Sequence, residues 1–285
     1  MSAALDLATR RKPAFEMPAG ACDAHCHVFG PRDRFPYARE RRYTPRDAPK
    51  ESLAALHAHL GVSRAVIVQA SCHGKDNTAM LDAIAADPAR YRGVAIVDDS
   101  ATDRDLQTLH AGGVRGVRFN FVRHLGGAPD PAVFSRVLAR IKPLGWHVVL
   151  HLDAADIEPL SDMIAALPVP FVIDHMGRVD SSLGVDQAPF RALLALARRD
   201  TCWIKVSGCE RISKPPYEAA IPFARALAQA SPRRVLWGTD YPHPNLAIPA
   251  DEADLVDLLP RIVETEAQQW LLLVDNPETL YGFAH

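Results

Sequence analysis

The 285-residue chain is predicted to fold as a single (β/α)8 TIM barrel. Three observations point there: eight short apolar runs, amphipathic segments between them, and a length that suits eight such units. The runs are continuous rather than alternating, as expected of parallel strands buried on both faces. A doubly wound open sheet is the competing architecture. No Gly-rich phosphate turn follows the first run, which speaks against it.

In chain order, residues 1–20 read as a Pro-rich leader and residues 21–285 as one barrel. The strands are placed at residues 21–29, 65–70, 93–98, 114–120, 147–153, 170–175, 203–208 and 235–240. Helical segments are placed at 77–86, 103–110, 131–144, 156–167, 187–199, 222–230 and 251–274, each with apolar residues at helical spacing. The Pro- and Arg-rich stretch 31–49 reads as a long loop after the first strand, near the barrel mouth.

Composition narrows the function classes. A net charge of -2 advertises neither nucleic acid nor a membrane surface as partner. Apolar residues make up 48% of the chain, ample for a core, and no apolar run approaches the roughly 20 residues that span a bilayer. Arg10, Arg11 and Lys12 precede Pro13 with no apolar segment behind them, so a secretory signal is not expected. Five cysteines without C-x-x-C spacing suit neither a structural zinc site nor a disulfide framework, and the expected location is cytoplasmic.

Catalytic residues of such barrels lie at the C-terminal ends of the strands. Those ends carry His25 and His27; a polar turn from Gln69 through Ser71 to His73; Arg118 and Asn120; His151 and Asp153; Asp174, His175 and Arg178; Lys205 and Ser207, with Glu210 and Arg211 just beyond; and Asp240. His25 and His27 are two apart on a strand, so both face one side. Asp153, Asp174 and Glu210 read as helix N-caps or structural acceptors. Lys205 points either into the barrel or between strand and helix. His57, His59 and His110 sit on helical segments and are expected to face solvent.

Four histidines and an aspartate at four strand ends suit hydrolysis. A carboxylate beside imidazoles can take a proton from water while histidines or a metal polarise a carbonyl. His-x-His, a further histidine and an aspartate also suit zinc or manganese. Arg118, Arg178 and Arg211 point to an anionic substrate.

Five segments carry a family resemblance: Asp23 through Pro31, Val68 through Gly74, Gly116 through Phe121, Ile173 through Arg178, and Trp237 through Asn245. They resemble the amidohydrolase superfamily and, within it, the 2-pyrone-4,6-dicarboxylate lactonases, over about residues 21–281. The resemblance implies an amidohydrolase-like barrel, a carboxylated lactone as substrate and catalysis without a divalent metal. It implies Asp240 as general base, with His25, His27 and His175 polarising the carbonyl. Arg118, Arg178 and Arg211 would hold carboxylates, with Tyr43, Ser71, His73 and Asn245 as further contacts. His151 stands where those lactonases carry a tyrosine, and His124 where they carry an arginine. Both are therefore expected to touch substrate. His25, His27, His151, His175 and Asp240 form the candidate metal set, and Arg118 in place of a bridging lysine argues against two metals.

The leading expectation is hydrolysis of 2-pyrone-4,6-dicarboxylate or a close relative to an open-chain keto or enol acid. Three alternatives remain: a metal-dependent lactonase for sugar-acid or muconolactone-type lactones, a decarboxylase or hydratase of a small unsaturated acid, and a non-catalytic dianion-binding barrel. Oligomeric state is not legible.

Overall fold

Eight parallel strands follow one another in chain order around the barrel: β1 (Cys22–Cys26), β2 (Arg64–Val68), β3 (Tyr91–Ala95), β4 (Val114–Asn120), β5 (His147–His151), β6 (Phe171–Ile173), β7 (Cys202–Lys205) and β8 (Val235–Leu236). The structure is a computed structural model that describes residues 10–246 and 250–283. Residues 1–9 of the predicted leader lie outside the described residues. The barrel closes between its first and last strands through backbone bonds Ala24 N–H to Trp237 O, His27 N–H to Tyr241 O and Asp240 N–H to His25 O, each 2.8 Å.

The surrounding helices are α1 (Lys50–Leu60), α2 (Thr78–Ala86), α3 (Asp103–Ala111), α4 (Pro131–Ile141), α5 (Ala154–Ala165), α6 (Ala188–Ala197), α7 (Cys209–Ile212), α8 (Ile221–Ala230) and α9 (Glu252–Asp257). Local chemistry sets their starts. Thr102 forms a reciprocal capping box with Asp105 at α3, and Asp130 caps α4 ahead of Pro131. The single helix expected over 251–274 is broken. Separate turns run Leu259–Ile262 and Glu266–Trp270, with Pro260 near the start of the first and a Thr265–Gln268 capping box starting the second. Among the described residues no helix is long and apolar enough to cross a membrane.

Strand β8 runs only Val235–Leu236 rather than the expected 235–240, and Asp240 beyond it takes a left-handed φ of 59° that a ladder residue cannot hold. Strand β1 carries the other departure. Between Asp23 and Cys26 its register against β2 slips, so three steps on β1 match two on β2, from Ala65 to Ile67. Strict alternation would send Cys22 and Ala24 to one face and His25 and His27 to the other. The extra residue lets Cys22 and Ala24 pack with Val66, Val68, Val149 and Leu236 while His25 and His27 also turn inward.

Three histidines expected to face solvent are tied down instead. His57 is fully buried on α1, its Nε2 3.2 Å from Asp23 Oδ2. His59 is half-buried, with Nε2 3.0 Å from Arg11 O. His110 is half-buried and accepts from Trp146 Nε1 at 2.9 Å. Amphipathic spacing identifies α1 as a helix face but not which polar residue that face buries.

Candidate active site

Side chains from the end of β1 and from the segments after β6 and β7 converge on Asp240, which follows β8. Its Oδ1 lies 3.3 Å from His27 Nε2, 3.5 Å from His25 Nε2 and 3.8 Å from His175 Nε2. Its Oδ2 is forked by Nε and a terminal nitrogen of Arg211. Burial alone would raise the Asp240 carboxyl, but Arg211 and then His175 hold it well below the usual carboxylate range. The carboxylate is therefore charged at neutral pH.

Each imidazole is oriented from behind. His27 Nδ1–H donates to Val68 O at 2.8 Å, which leaves Nε2 as a lone pair facing Asp240. His175 Nδ1 sits 3.1 Å from Ser207 Oγ, and His25 Nδ1 sits 2.9 Å from Lys205 Nζ. Serine and ammonium donors there make Nε2 the N–H-bearing atom of both rings. Burial and then Lys205 push His25 down to about 3, and burial takes His175 well below its ordinary value.

Lys205 points into the barrel and is fully buried, its Nζ 3.1 Å from Asp174 Oδ1. Arg118 Nε donates to the other oxygen, Asp174 Oδ2, at 3.0 Å. Burial opposes ionisation of Asp174, yet Lys205, His25 and Arg118 hold it well below the usual range. Asp174 is thus the anion of a buried ion cluster and makes no helix-capping bond. Asp153 makes none either, and its Oδ1 lies 3.2 Å from Arg178 Nε. Glu210 opens α7 with both carboxylate oxygens free of hydrogen bonds.

Above this cluster lies a cleft lined by His27, Tyr43, Ser71, Arg118, His124, His151, His175, Arg178, Arg211, Asp240 and Asn245. His151 lines it with Nε2 free, because its Nδ1 is 3.0 Å from Asn120 Oδ1, the donor being the ring. It is absent from the cluster of donor atoms around Asp240. His73, expected to touch substrate, is not at the cleft. Its Nε2 accepts from Gly30 N–H at 3.4 Å and its Nδ1 is 3.2 Å from Pro36 O, pinning the loop after β1. Arg211, expected to hold a substrate carboxylate, is engaged by Asp240.

Asp23 is the residue whose role the sequence reading missed. It accepts from His25 N–H at 3.0 Å and Thr239 N–H at 3.1 Å, and it also bonds Thr239 Oγ1 and His57. It thus locks β1, β8 and α1 together beneath the histidines. Gly238 makes that lock possible: a Cβ there would sit 2.5 Å from His25 N and 2.7 Å from His25 Cβ. Gly238→Ala is expected to cost about 1–3 kcal/mol of stability in urea denaturation, and to lose most turnover through displacement of His25. Wild-type turnover in that variant would show that the close approach is slack.

The donor atoms also fit one zinc or manganese ion. Tetrahedral sites with bonds of about 2.0–2.1 Å separate their ligand atoms by roughly 3.4 Å. Asp240 Oδ1 lies 3.3 Å from His27 Nε2 and 3.5 Å from His25 Nε2, close to that value, and His25 Nε2 and Asp240 Oδ1 have no hydrogen bond; His175 Nε2, 3.8 Å from Asp240 Oδ1, falls outside this three-donor cluster.

The buried imidazoles carry a pH signature. His25 and His147 are both held at about 3, through burial and then Lys205, against 6.5 when free. The unfolded chain binds more protons between those values. Their contribution is therefore intact above pH 6.5 and lost progressively down to pH 3, by about 1.4 kcal/mol per pH unit for each. The urea midpoint is expected to fall steadily from pH 7 to pH 5; a flat profile would contradict neutral burial of both rings.

The amidohydrolase family model matches residues 22–283. The chain is 49% identical to 2-pyrone-4,6-dicarboxylate hydrolase of Comamonas testosteroni, over 95% of this chain and 92% of that protein. It is 42% identical to 4-sulfomuconolactone hydrolase of Rhizobium radiobacter, over 94% of this chain and 92% of that protein. It also superposes on the crystal structure of a proposed 2-pyrone-4,6-dicarboxylic acid hydrolase from Pseudomonas putida. That match has a TM-score of 0.82 and 34% identity, and covers 94% of this chain and 100% of that one. With a family match over nearly its whole length and a barrel whose strand ends gather His25, His27, His175 and Asp240, the chain belongs to the amidohydrolase family.

Proposed function

We propose that this protein is a lactone hydrolase that opens the ring of 2-pyrone-4,6-dicarboxylate. The observation that carries the reading is a charged carboxylate oxygen, Asp240 Oδ1, facing three imidazoles at the floor of an arginine-lined cleft. The similarity to the Comamonas testosteroni hydrolase, at 49% identity, supplies the substrate.

The chemistry follows from the hydrogen positions. Asp240 Oδ1 and His27 Nε2 are both acceptors 3.3 Å apart, so they grip the two protons of one water molecule. As that water adds to the lactone carbonyl, Asp240 takes its proton. His25 and His175 present Nε2–H groups to the developing oxyanion, and Lys205 behind His25 stabilises the charge further. Collapse of the tetrahedral intermediate breaks the ring C–O bond. The leaving enolate oxygen recovers the proton from Asp240, and the enol relaxes to a keto acid in solution. Arg118, Arg178 and His124 hold the two carboxylates, with Tyr43, Ser71, His151 and Asn245 completing the wall. When bound by His25, His27 and Asp240, a divalent ion would supply Lewis-acid polarisation and a more acidic water. We read the reaction as metal-independent, because Arg211 neutralises Asp240 and Lys205 places a cation behind His25.

The test is ultraviolet-monitored loss of the pyrone by purified protein, before and after exhaustive chelation. Turnover that survives chelation is expected. Loss of turnover restored by zinc or manganese would overturn metal independence while leaving the substrate in place. No pyrone loss alongside turnover of 4-sulfomuconolactone would move the assignment to sulfonate-bearing lactones, the substrate in the name of a 42% identical relative.

A further inference from the structure

The run Tyr241-Pro242-His243-Pro244-Asn245 after β8 supplies Asn245 to the cleft, yet the proposed chemistry leaves its histidine without a task. His243 is buried, and its backbone N–H closes a turn onto Asp240 O at 2.7 Å. Its ring lies between two buried carboxylates from separate helices. Nδ1 is 3.8 Å from Glu210 Oε1 on α7, and Nε2 is 3.3 Å from Glu252 Oε1 on α9. Neither ring nitrogen and neither Glu210 oxygen has a hydrogen-bond partner, which is costly for groups so deeply buried unless they answer one another electrostatically. Glu210 Oε1 is also 3.8 Å from Arg211 Nε, and Arg211 forks Asp240. At the far end, Glu252 Oε2 accepts from Arg10.

These contacts form a continuous line: Arg10, Glu252, His243, Glu210, Arg211, Asp240. The backbone gives a reason for it. Asp240, His243 and Asn245 all hold left-handed φ values of 59°, 58° and 66° without being glycine. Such a conformation is strained for a histidine or aspartate and persists only where its surroundings over-determine it. Backbone bonds to β1 anchor Asp240 and Tyr241, through Asp240 N–H to His25 O and His27 N–H to Tyr241 O, but among the described residues no backbone bond to β1 reaches His243 beyond them.

We propose that His243 is a positioning residue. Clamped between Glu210 and Glu252, it fixes the turn that aims Asp240 Oδ1 at its water, and Glu210 steers Arg211 onto Asp240 Oδ2. Through Arg10, the segment ahead of β1 becomes part of the support of the active site. The inference rests on the reading of Asp240 as the water-activating base.

The experiment compares kcat, KM and thermal midpoint for His243→Gln, Glu252→Gln, their double variant, Arg10→Ala, Arg10→Lys and Asp240→Asn, with 2-pyrone-4,6-dicarboxylate as substrate. Because His243 touches no substrate, His243→Gln is expected to lower kcat by about 10²-fold with KM within about twofold, as misplacement of a reacting group does. The double variant is expected to fall no further than His243→Gln alone, since both cut one line of contacts. Arg10→Ala is expected to lower kcat and Arg10→Lys to restore it. Should His243→Gln fail to fold, the near-isosteric Glu252→Gln carries the test with the same expected kcat loss. A kcat within about threefold of wild type in the folded variants, or losses that simply multiply in the double variant, would overturn the inference. An Asp240→Asn variant that keeps full turnover would instead overturn the underlying reading of the base.

Discussion

Replacing Asp240 with asparagine is expected to lower kcat for 2-pyrone-4,6-dicarboxylate by about 10²–10⁴-fold, with little change in KM. The amide keeps the shape and can still meet Arg211, but it cannot take a proton from water. In the proposed reading the substrate carboxylates meet Arg118, Arg178 and His124, which line the cleft and which the change does not touch. Steady-state kinetics and ligand binding on the same preparation check both halves. Retained binding with lost turnover separates a catalyst from a barrel that only binds dianions. Unchanged turnover would sink the general-base role.

Lys205→Met is expected to be the most damaging change to the barrel interior. The ammonium is fully buried between Asp174 Oδ1 and His25 Nδ1, at 3.1 and 2.9 Å. Removing one partner of a buried ion cluster strands a charge, here on Asp174, and typically costs about 3–5 kcal/mol. Arg118 still neutralises the other Asp174 oxygen, which keeps the expected loss from exceeding that range. The catalytic effect is separate. Without a donor at Nδ1, His25 can donate Nδ1–H to Asp174, 3.3 Å away, and Nε2 then ceases to be a donor to the oxyanion. Losing one such donor costs about 10²–10³-fold in kcat. Calorimetry and kinetics on the same protein test the pair. A variant with normal stability and turnover would mean that neither the charge cluster nor the His25 tautomer matters.

Much of the barrel was legible from the chain because each strand had to be apolar on both faces and short. The order of the eight strands follows from that pattern, and side-chain alternation puts Arg118 with Asn120 on one face. So does the gathering of His25, His27, His175 and Asp240, since strand ends in a closed barrel share one mouth.

Other features depended on contacts between distant residues. Alternation alone could not place both Ala24 and His25 inside; the extra residue in β1 did that, and nothing in the local sequence marks it. The direction of Lys205 waited on Asp174 and His25, residues 31 and 180 positions away in the chain. His57 looked like a surface residue of α1 until Asp23, on another element, supplied its buried partner. That Arg211, at the cleft wall, also forks Asp240 was not legible until the two elements were seen together. Local sequence determined which residues are apolar, which segments repeat at strand or helix spacing, and which chemistry sits at each strand end. Only the tertiary structure decided which charge meets which, because a buried ion pair depends on the distance between two elements, and that distance is set by how the barrel closes.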